Sequence, residues 1–200
     1  MDSYSYFARG KVFANAQTGN IVLMSARLAD GEFLGSLKYL LPLTAFALGV
    51  IAAQEIHFRC PEEHSLHWRQ LVLTVEMVLL CTVGFLPASI NPIANALLSF
   101  ACAMQVHAFR TVRGSPYAST MCIGNLRSAM DHFDRALHEK SRRELHLCGK
   151  YLLVVVSFAI GAVTGYQLIQ LMGLHTIWIS CALLMVSFLM MMPRVEYEDY

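Results

Sequence analysis

The sequence predicts an all-α polytopic membrane protein with about six transmembrane helices, and three observations support this fold class. The 200-residue chain is 56% hydrophobic and only 14% charged, whereas an ordinary soluble domain carries about 25% charged residues. Uncharged runs such as 151–172 and 174–193 match the roughly 20 residues that cross a bilayer core. Polar motifs and glycines also recur along the chain. We therefore expect one integral membrane domain over residues 1–200, with repeats at about 1–90 and 93–193.

Five apolar runs account for most of the predicted spans, and a shorter run precedes them. The runs lie at 39–56, 71–90, 93–109, 151–171 and 174–192, after a short apolar segment at 21–29. The adjoining Asn91 and Pro92 predict a tight turn between the second and third runs. Charged residues at 131–150 indicate an amphipathic connection outside the membrane core.

The start of the chain has the character of the end of a membrane helix. Asp2 and several aromatic residues run directly into Arg9 and Lys11, with no apolar stretch before them. We therefore expect the first helix to be truncated, with an upstream segment of roughly 15 to 25 apolar residues completing it. A cleaved signal peptide is not recognisable, because the start lacks both a basic region and an uninterrupted apolar core.

Two short polar stretches interrupt the hydrophobic sequence. The first, 12–20, ends in Gly19-Asn20, and the second, 118–125, ends in Gly124-Asn125. Each pair precedes a run compatible with a helix. Asparagine and threonine can satisfy the free N–H groups of a first helical turn, and glycine lets the backbone approach a neighbour or a ligand. A helix cap and a binding site would use the same atoms, so both roles remain open.

The chain also contains a longer internal correspondence. Tyr-Leu-Leu followed by Phe-Ala-x-Gly occurs at 39–49 and again at 151–161, in the same register. Gly49 with Ala53, and Gly161 with Gly165, are pairs of small residues suited to close helix packing in lipid. Two ancestral halves explain both recurrences, although apolar helices in general resemble one another.

The distribution of basic residues favours a re-entrant second polar stretch. If 111–130 enters the membrane and returns to the same face, most arginines and lysines share that face, which the positive-inside rule makes cytoplasmic. A full crossing gives a weaker bias and the opposite orientation. The re-entrant topology makes the two halves inverted repeats, each with a broken or re-entrant polar segment. Such repeats are a transporter architecture.

The first polar stretch resembles the signature of a known group of proteins. Asp-Ser-Tyr-Ser-Tyr at 2–6, followed by Gly-Lys-Val-Phe-Ala-Asn-Ala-Gln-Thr-Gly-Asn at 10–20, is similar to the YoaK-like bacterial membrane proteins, an uncharacterised family. The likeness covers nearly the whole chain. Ile123 departs from it, since the second motif of that family usually reads Thr-Gly-Asn. The resemblance implies a helical fold in the bacterial inner (cytoplasmic) membrane but no particular activity.

The two polar stretches supply the predicted solute site. Free N–H groups and the positive ends of helix dipoles at two helix starts suit a polar solute, with an anion as one candidate. The predicted site residues are Asn15, Gln17, Thr18, Gly19 and Asn20 from the first stretch and Thr120, Gly124 and Asn125 from the second.

Four further polar residues lie in or beside the predicted spans. Glu76 would cost roughly 2.5–3.5 kcal/mol at a helix centre if charged and unpaired, so we expect it to be protonated, paired or facing a cavity. Together with Asp2 and His107 it is a candidate for proton or ion coupling. Structural roles compete with this one, namely a carboxylate near the helix end for Glu76 and a frayed terminus for Asp2. Gln105 is a candidate for a polar contact between helices.

Catalytic and metal-binding patterns are missing from the sequence. It contains no Ser-His-Asp arrangement, phosphate-binding loop or HExxH helix, and the six cysteines suggest no disulfide framework. His57, Cys60, His64 and His67 are zinc-type ligands, but a solvated loop explains them equally well. We expect no enzyme activity, cofactor, metal or nucleic-acid partner.

Two functions remain on the sequence alone. The first is a small secondary transporter or permease for a polar solute bound between the two helix starts. The second is a membrane scaffold or assembly subunit that does not transport, in which the same residues only cap helices and hold them together. The expected partners are membrane lipid and a small polar solute. A homodimer is plausible because six short spans make a small transporter.

Overall fold

A computed structural model of the chain describes residues 1–60, 68–109, 111–112, 115–116 and 122–191. These residues form α-helices joined by short turns. The helices are α1 (Asp2–Ala8), α2 (Gln17–Ala29), α3 (Phe33–Arg59), α4 (Trp68–Phe85), α5 (Asn91–Ala108), α6 (Cys122–Glu139), α7 (Arg142–Met172) and α8 (Ile177–Met190). Two 3-10 turns, Ala88–Ile90 and Gly173–Thr176, link α4 to α5 and α7 to α8, and β1 (Thr111–Val112) pairs antiparallel with β2 (Ser115–Pro116).

Three of the described helical segments are long and apolar enough to cross a membrane. They are Phe33–Arg59, Trp68–Phe85 and the 49 residues Arg142–Met190, which contain both α7 and α8. Helix α5 packs against α3 and α4, and much of its surface is buried. The predicted all-α membrane fold is confirmed. The number of crossings stays a prediction.

Some predicted boundaries were wrong, and the backbone explains why. The run expected to continue to residue 90 ends as a helix at Phe85, because Pro87 follows in an extended conformation. The expected connection at 131–150 is instead the end of α6 and the start of α7. Lys140 separates them with a left-handed φ of 49°, and the Ser141 side chain then caps α7 by accepting from the Glu144 N–H.

Helix α4 lies antiparallel to both α5 and α8. The short Ala88–Ile90 turn reverses the chain between α4 and α5. On the other side, Trp178 Nε1 donates to the Cys81 carbonyl at 3.4 Å, and Gln70 Nε2 donates to the Met191 carbonyl at 3.2 Å. The main apolar cluster fills these interfaces with side chains that include Leu73, Leu80, Leu98, Ile177 and Leu184.

Two helix pairs cross closely and run parallel. A Cβ on Gly49 of α3 would lie 2.5 Å from the Phe100 carbonyl oxygen of α5, so only glycine permits this approach. Near the start of both helices, Pro92 lies beside Lys38. Helices α1 and α7 also run parallel. Ser3 Oγ donates to the Ala162 carbonyl at 3.2 Å, and further along both helices Phe7 packs edge-on against Tyr166.

Candidate functional site

The first polar stretch folds back along α1. Gly10 and Lys11 adopt left-handed φ values of 93° and 59°, which reverse the chain directly after α1. Side chains of α1 then hold the returning segment against that helix. Ser5 Oγ accepts from the Ala14 N–H at 3.0 Å, and Asp2 Oδ1 accepts from the Asn15 N–H at 2.8 Å. As a result, α1 and α2 both begin at the same level of the bundle.

Asn20 closes the loop that precedes α2. Its Oδ1 accepts from the Phe13 N–H at 2.9 Å, and its Nδ2 donates to the Phe13 carbonyl at 2.7 Å and to Gln17 Oε1 at 2.9 Å. Gln17 Nε2 in turn donates to the Ala14 carbonyl at 2.8 Å. Asn20 is 1% exposed. Its amide group is therefore engaged inside the protein, which favours the loop-closing role over direct contact with a solute.

The neighbouring residues of this motif have separate surroundings. A Cβ on Gly19 would lie 2.8 Å from the Phe13 ring, so glycine makes room for that ring. Thr18 is exposed on the first turn of α2. Neither residue lines the cavity described below.

The second polar stretch is described only from Cys122 onward. Thr120 lies outside the described residues. Asn125 is buried on α6, while a Cβ on Gly124 would meet open space. Helix α6 packs on α7, whereas α2 packs on α3, so the two Gly-Asn pairs belong to different helix pairs. Unlike Gly19, Gly124 has no neighbour among the described residues that requires glycine.

A cavity of about 440 Å³ lies between α1, α5, α7 and α8. Three of the predicted site residues, Asp2, Asn15 and Gln105, line it together. Small and weakly polar residues of α7 and α8 lie beside these three polar residues in the cavity wall. Apolar side chains form most of the rest of the wall. The latter include Phe158, Leu168, Ile179 and Leu183. A mainly apolar wall with a few convergent polar groups is the usual character of a small-molecule site.

Arg9 is a central residue that the sequence analysis treated only as a basic residue at the end of the first helix. It is 0% exposed, and its guanidinium group covers the end of α4. Nη2 donates to the Val83 carbonyl at 2.7 Å, and Nη1 donates to the carbonyls of Leu86 at 2.8 Å and Pro87 at 3.4 Å and to Asn91 Oδ1 at 3.2 Å. Carbonyls at a helix C-terminus lack intrahelical donors and carry partial negative charge, so a cation is well placed there.

The contacts of Arg9 extend to three further elements. Arg9 Nε donates to the Tyr4 hydroxyl at 2.9 Å, and that hydroxyl donates to the Leu174 carbonyl at 2.8 Å in the turn between α7 and α8. Asn95 Nδ2 of α5 donates to the Arg9 carbonyl at 2.8 Å. One residue thus joins α1, the end of α4, α5 and the α7–α8 turn. An arginine directly before a glycine, at the end of a short stretch rich in aromatic residues, was the available sequence signal.

Glu76 lies apart from the cavity, in the core of the bundle. Its side chain is 0% exposed, and neither carboxyl oxygen has a hydrogen-bond partner in the described part of the chain. It is within electrostatic range of the thiols of Cys102 on α5 and Cys181 on α8. His107 is half-buried in the last turn of α5 and does not line the cavity.

Comparison with known proteins assigns the chain to a family. The model of a family described as a protein of unknown function, DUF1275, matches residues 1–190. The chain belongs to the DUF1275 family. This confirms membership of an uncharacterised family, while the narrower YoaK-like likeness stays a prediction. No curated protein and no solved structure matches the chain. The function of this DUF1275 chain has to be argued from its own residues.

Proposed function

We propose that the protein is a small membrane permease whose polar solute binds in the cavity between α1, α5, α7 and α8. The observation that carries this proposal is the convergence of Asp2, Asn15 and Gln105 on one cavity flanked by long apolar helices. Polar groups at membrane depth are costly, and proteins keep them mainly where they line a pathway or pair with one another.

The directions of the helices support inverted repeats as part of the proposal. Helix α1 runs towards the end of α4, where Arg9 contacts Val83, so it is antiparallel to α5 and therefore to α3. Since α7 is parallel to α1, α3 and α7 run in opposite directions. If α1, α2 and α3 are equivalent to α5, α6 and α7, the contact of α1 with α7 corresponds to the contact of α5 with α3. In the same way, the packing of α2 on α3 corresponds to the packing of α6 on α7.

The lining of the cavity suggests which solutes to test first. Among the described lining residues, Asp2 has the only acidic or basic side chain. A carboxylate attracts cations and hydrogen-bond donors, so we favour a solute rich in donors over the anion suggested by the sequence. Gln105 offers both a donor and an acceptor on the opposite wall.

The outward faces of the long helices suit contact with lipid. Large apolar side chains are exposed on α3, α7 and α8, among them Leu48, Ile51, Leu153, Ile160, Val163, Leu183 and Val186. Such a surface is stable in hydrocarbon but not in water. A bacterial inner membrane and a homodimer fit this surface and remain part of the proposal.

A membrane scaffold without transport activity is the second candidate. The full engagement of the Asn20 amide favours it, because a residue that only closes a loop needs no solute. Under this alternative, changes to the polar motif lower stability and there is no binding to lose.

Matched glutamine variants test the proposal. Gln105→Ala removes a cavity group, whereas Gln167→Ala changes an exposed residue of α7 outside the cavity. The measurements are binding and proteoliposome uptake over a panel of cationic and neutral polar metabolites, with thermal stability recorded beside them. We expect Gln105→Ala to lower binding and uptake and Gln167→Ala to leave both unchanged. Wild-type protein that neither binds nor transports any member of the panel would favour the scaffold.

A further inference from the structure

We propose that Glu76 is the proton-carrying residue of this protein and exchanges its proton with the cavity past Cys102. This inference rests on the proposed permease function and deepens it, because it names the coupling ion and the residue that carries it. The argument uses the burial of Glu76, the groups that face it and its position relative to the cavity.

Burial requires the Glu76 side chain to be neutral in the state described here. Its carboxyl group is 0% exposed, and neither oxygen accepts a hydrogen bond from any described residue. An ionised carboxylate in such a place would keep neither water nor a protein donor, and that is among the most costly arrangements in a protein interior. A bound proton removes the charge without needing any further ligand.

The elements packed around α4 bring few titratable groups to Glu76. Helix α5 contributes the Cys102 thiol and α8 contributes the Cys181 thiol. Arg9 covers the end of α4 at Val83, about two helical turns beyond Glu76, and the α7–α8 turn carries His175. Neither of them, nor any described side chain of α3, forms a hydrogen bond with the carboxyl oxygens. A carboxyl group without a close cation can gain and lose a proton, whereas a tight ion pair would fix its charge.

Cys102 connects the surroundings of Glu76 with the cavity. Its thiol is near enough to Glu76 for an electrostatic interaction, and the residue also belongs to the cavity wall. Water at this part of the wall is therefore in the neighbourhood of the buried carboxyl group.

Ser99 adds a second polar group at the same level. Helix α4 ends at Phe85 and the antiparallel helix α5 begins at Asn91. Counting the same distance back along α4 and forward along α5 places Glu76 at about the height of Phe100, whose sequence neighbour is Ser99. The Ser99 hydroxyl oxygen is fully buried and has no hydrogen-bond partner among the described residues. A hydroxyl group that can donate and accept is suited to pass a proton along.

The exchange step itself is simple. The O–H bond of the Glu76 carboxyl group breaks, and an O–H bond forms on water that has entered from the cavity. The remaining carboxylate becomes neutral again when it takes up a proton from water on the opposite side of the membrane. Because the charged form is costly inside the bundle, deprotonation favours a conformation that admits water or the solute.

The other two coupling candidates fit this role less well. The Asp2 carboxylate already has a donor, since it accepts from the Asn15 N–H at 2.8 Å. It serves as a fixed part of the cavity wall. His107 lies at the end of α5 and does not reach the cavity. Of the three, Glu76 alone combines complete burial with two oxygens that lack a partner among the described residues.

Infrared spectroscopy tests the protonation without any solute. The probe is the C=O stretching band of a protonated carboxylic acid in purified protein at neutral pH. We expect this band in wild type, its loss in Glu76→Gln, and its retention in the control Glu55→Gln, where an exposed carboxylate pairs with Arg59. Glu76→Asp should keep a shifted band and covers the case in which the glutamine variant does not fold. A wild-type spectrum without a band that depends on Glu76 would overturn the inference, whatever the transport result.

Transport measurements test the coupling. Proteoliposomes with an entrapped pH dye are given the solute identified by the binding panel, in sodium-free buffer with an imposed proton gradient. We expect solute-driven proton movement in wild type and Glu55→Gln and only background movement in Glu76→Gln, which should still bind the solute. Proton movement that survives in Glu76→Gln, or uptake that requires Na⁺, would overturn the inference and leave the permease intact. Wild-type protein that binds no solute would instead remove the permease, and the coupling role with it.

Discussion

Arg9 Nη2 lies 2.7 Å from the carbonyl oxygen of Val83, close to the C-terminus of α4. A fully buried guanidinium group thus takes the place that water would occupy at the end of an exposed helix. Its partners are carbonyl and hydroxyl oxygens and an amide oxygen, not a carboxylate. The pattern of donors therefore matters more than the charge alone.

Replacing Arg9 should be strongly destabilising. A hydrogen bond to a charged group typically contributes about 1.5–3 kcal/mol, and Arg9→Met removes several of them, so we expect it to lower the free energy of unfolding by about 3 kcal/mol or more. Arg9→Lys keeps the charge but loses the planar fork of donors, so it should rescue only part of the loss. Thermal unfolding in detergent provides the measurement. Arg27→Lys, at an exposed ion pair with Glu32, is the control and should change little. Equal effects at both positions would contradict the role of Arg9.

Asn20→Ala should lower stability by about 2–4 kcal/mol, because three hydrogen bonds of roughly 1 kcal/mol each are lost and the Phe13 backbone is left unpaired. Asn20→Asp keeps the acceptor for the Phe13 N–H and should lose less. Ser25→Ala, which removes an exposed hydroxyl from the same helix, is the control. Protease cleavage within 10–16 should follow the same order. An Asn20→Ala variant as stable as wild type, but defective in solute binding, would assign Asn20 to the solute site instead.

The two glycines in corresponding positions should respond differently to alanine. In Gly49→Ala the new methyl group would lie 2.5 Å from the Phe100 carbonyl oxygen and 2.8 Å from the Ala103 methyl group. Overpacking of this kind typically costs about 1–3 kcal/mol. In Gly161→Ala the methyl group would meet no atom of another described element within 4 Å, so stability should hardly change. The comparison of melting temperatures is direct, since both are glycine-to-alanine changes in long apolar helices. A similar loss in both would indicate a general effect of helix glycines.

The contact between α6 and α7 should depend on pH. His132 Nδ1 lies 2.7 Å from Glu144 Oε2, in the charged first turn of α7 before its apolar run. The hydrogen bond from His132, with smaller contributions from nearby positive groups, lowers the pKa of Glu144 below its ordinary value of 4.5. A carboxyl group with a lowered pKa stabilises the fold above its ordinary pKa, and this stabilisation is lost as the pH falls below that value.

Hydrogen exchange of α6 provides the measurement for this contact. Protection should fall below about pH 4.5, and His132→Ala should remove most of the pH dependence. His138→Ala, which breaks an exposed contact with Asp134 at 3.5 Å, should leave it in place. The contact has no role in holding α6 if His132→Ala and His138→Ala behave alike.

The long helices could be predicted from the sequence because their signal is local. The apolar runs predicted both ends of α5 and α8, and the C-terminal end of α3, to within a few residues. Asn91-Pro92 correctly predicted the turn before α5. The partner of Asn20 could not be predicted, because its contact with Phe13 depends on the left-handed turn at Gly10 and Lys11. Motifs show which residues are unusual but not which atoms they reach.

The cavity and the position of Arg9 were also beyond the sequence. Asp2 and Gln105 are far apart in the chain and meet only because α1, which packs on α7, and α5 line the same cavity. Arg9 stands beside Lys11 and has the same charge, yet only Arg9 is buried. The local sequence does not distinguish a basic residue that is buried at a helix end from one that is exposed at the membrane surface.

Arg9 also gives the two ends of the bundle different mechanical properties. It ties α1, α4, α5 and the α7–α8 turn to a single point, so parting any of them would leave a buried cation without its oxygens. That end must therefore move as one rigid body. At the opposite end a neutral hydrogen bond from Gln70 to the Met191 carbonyl joins α4 to α8. Under the proposed permease function, we expect the cavity to open at that end, because separating helices there does not strand a buried cation.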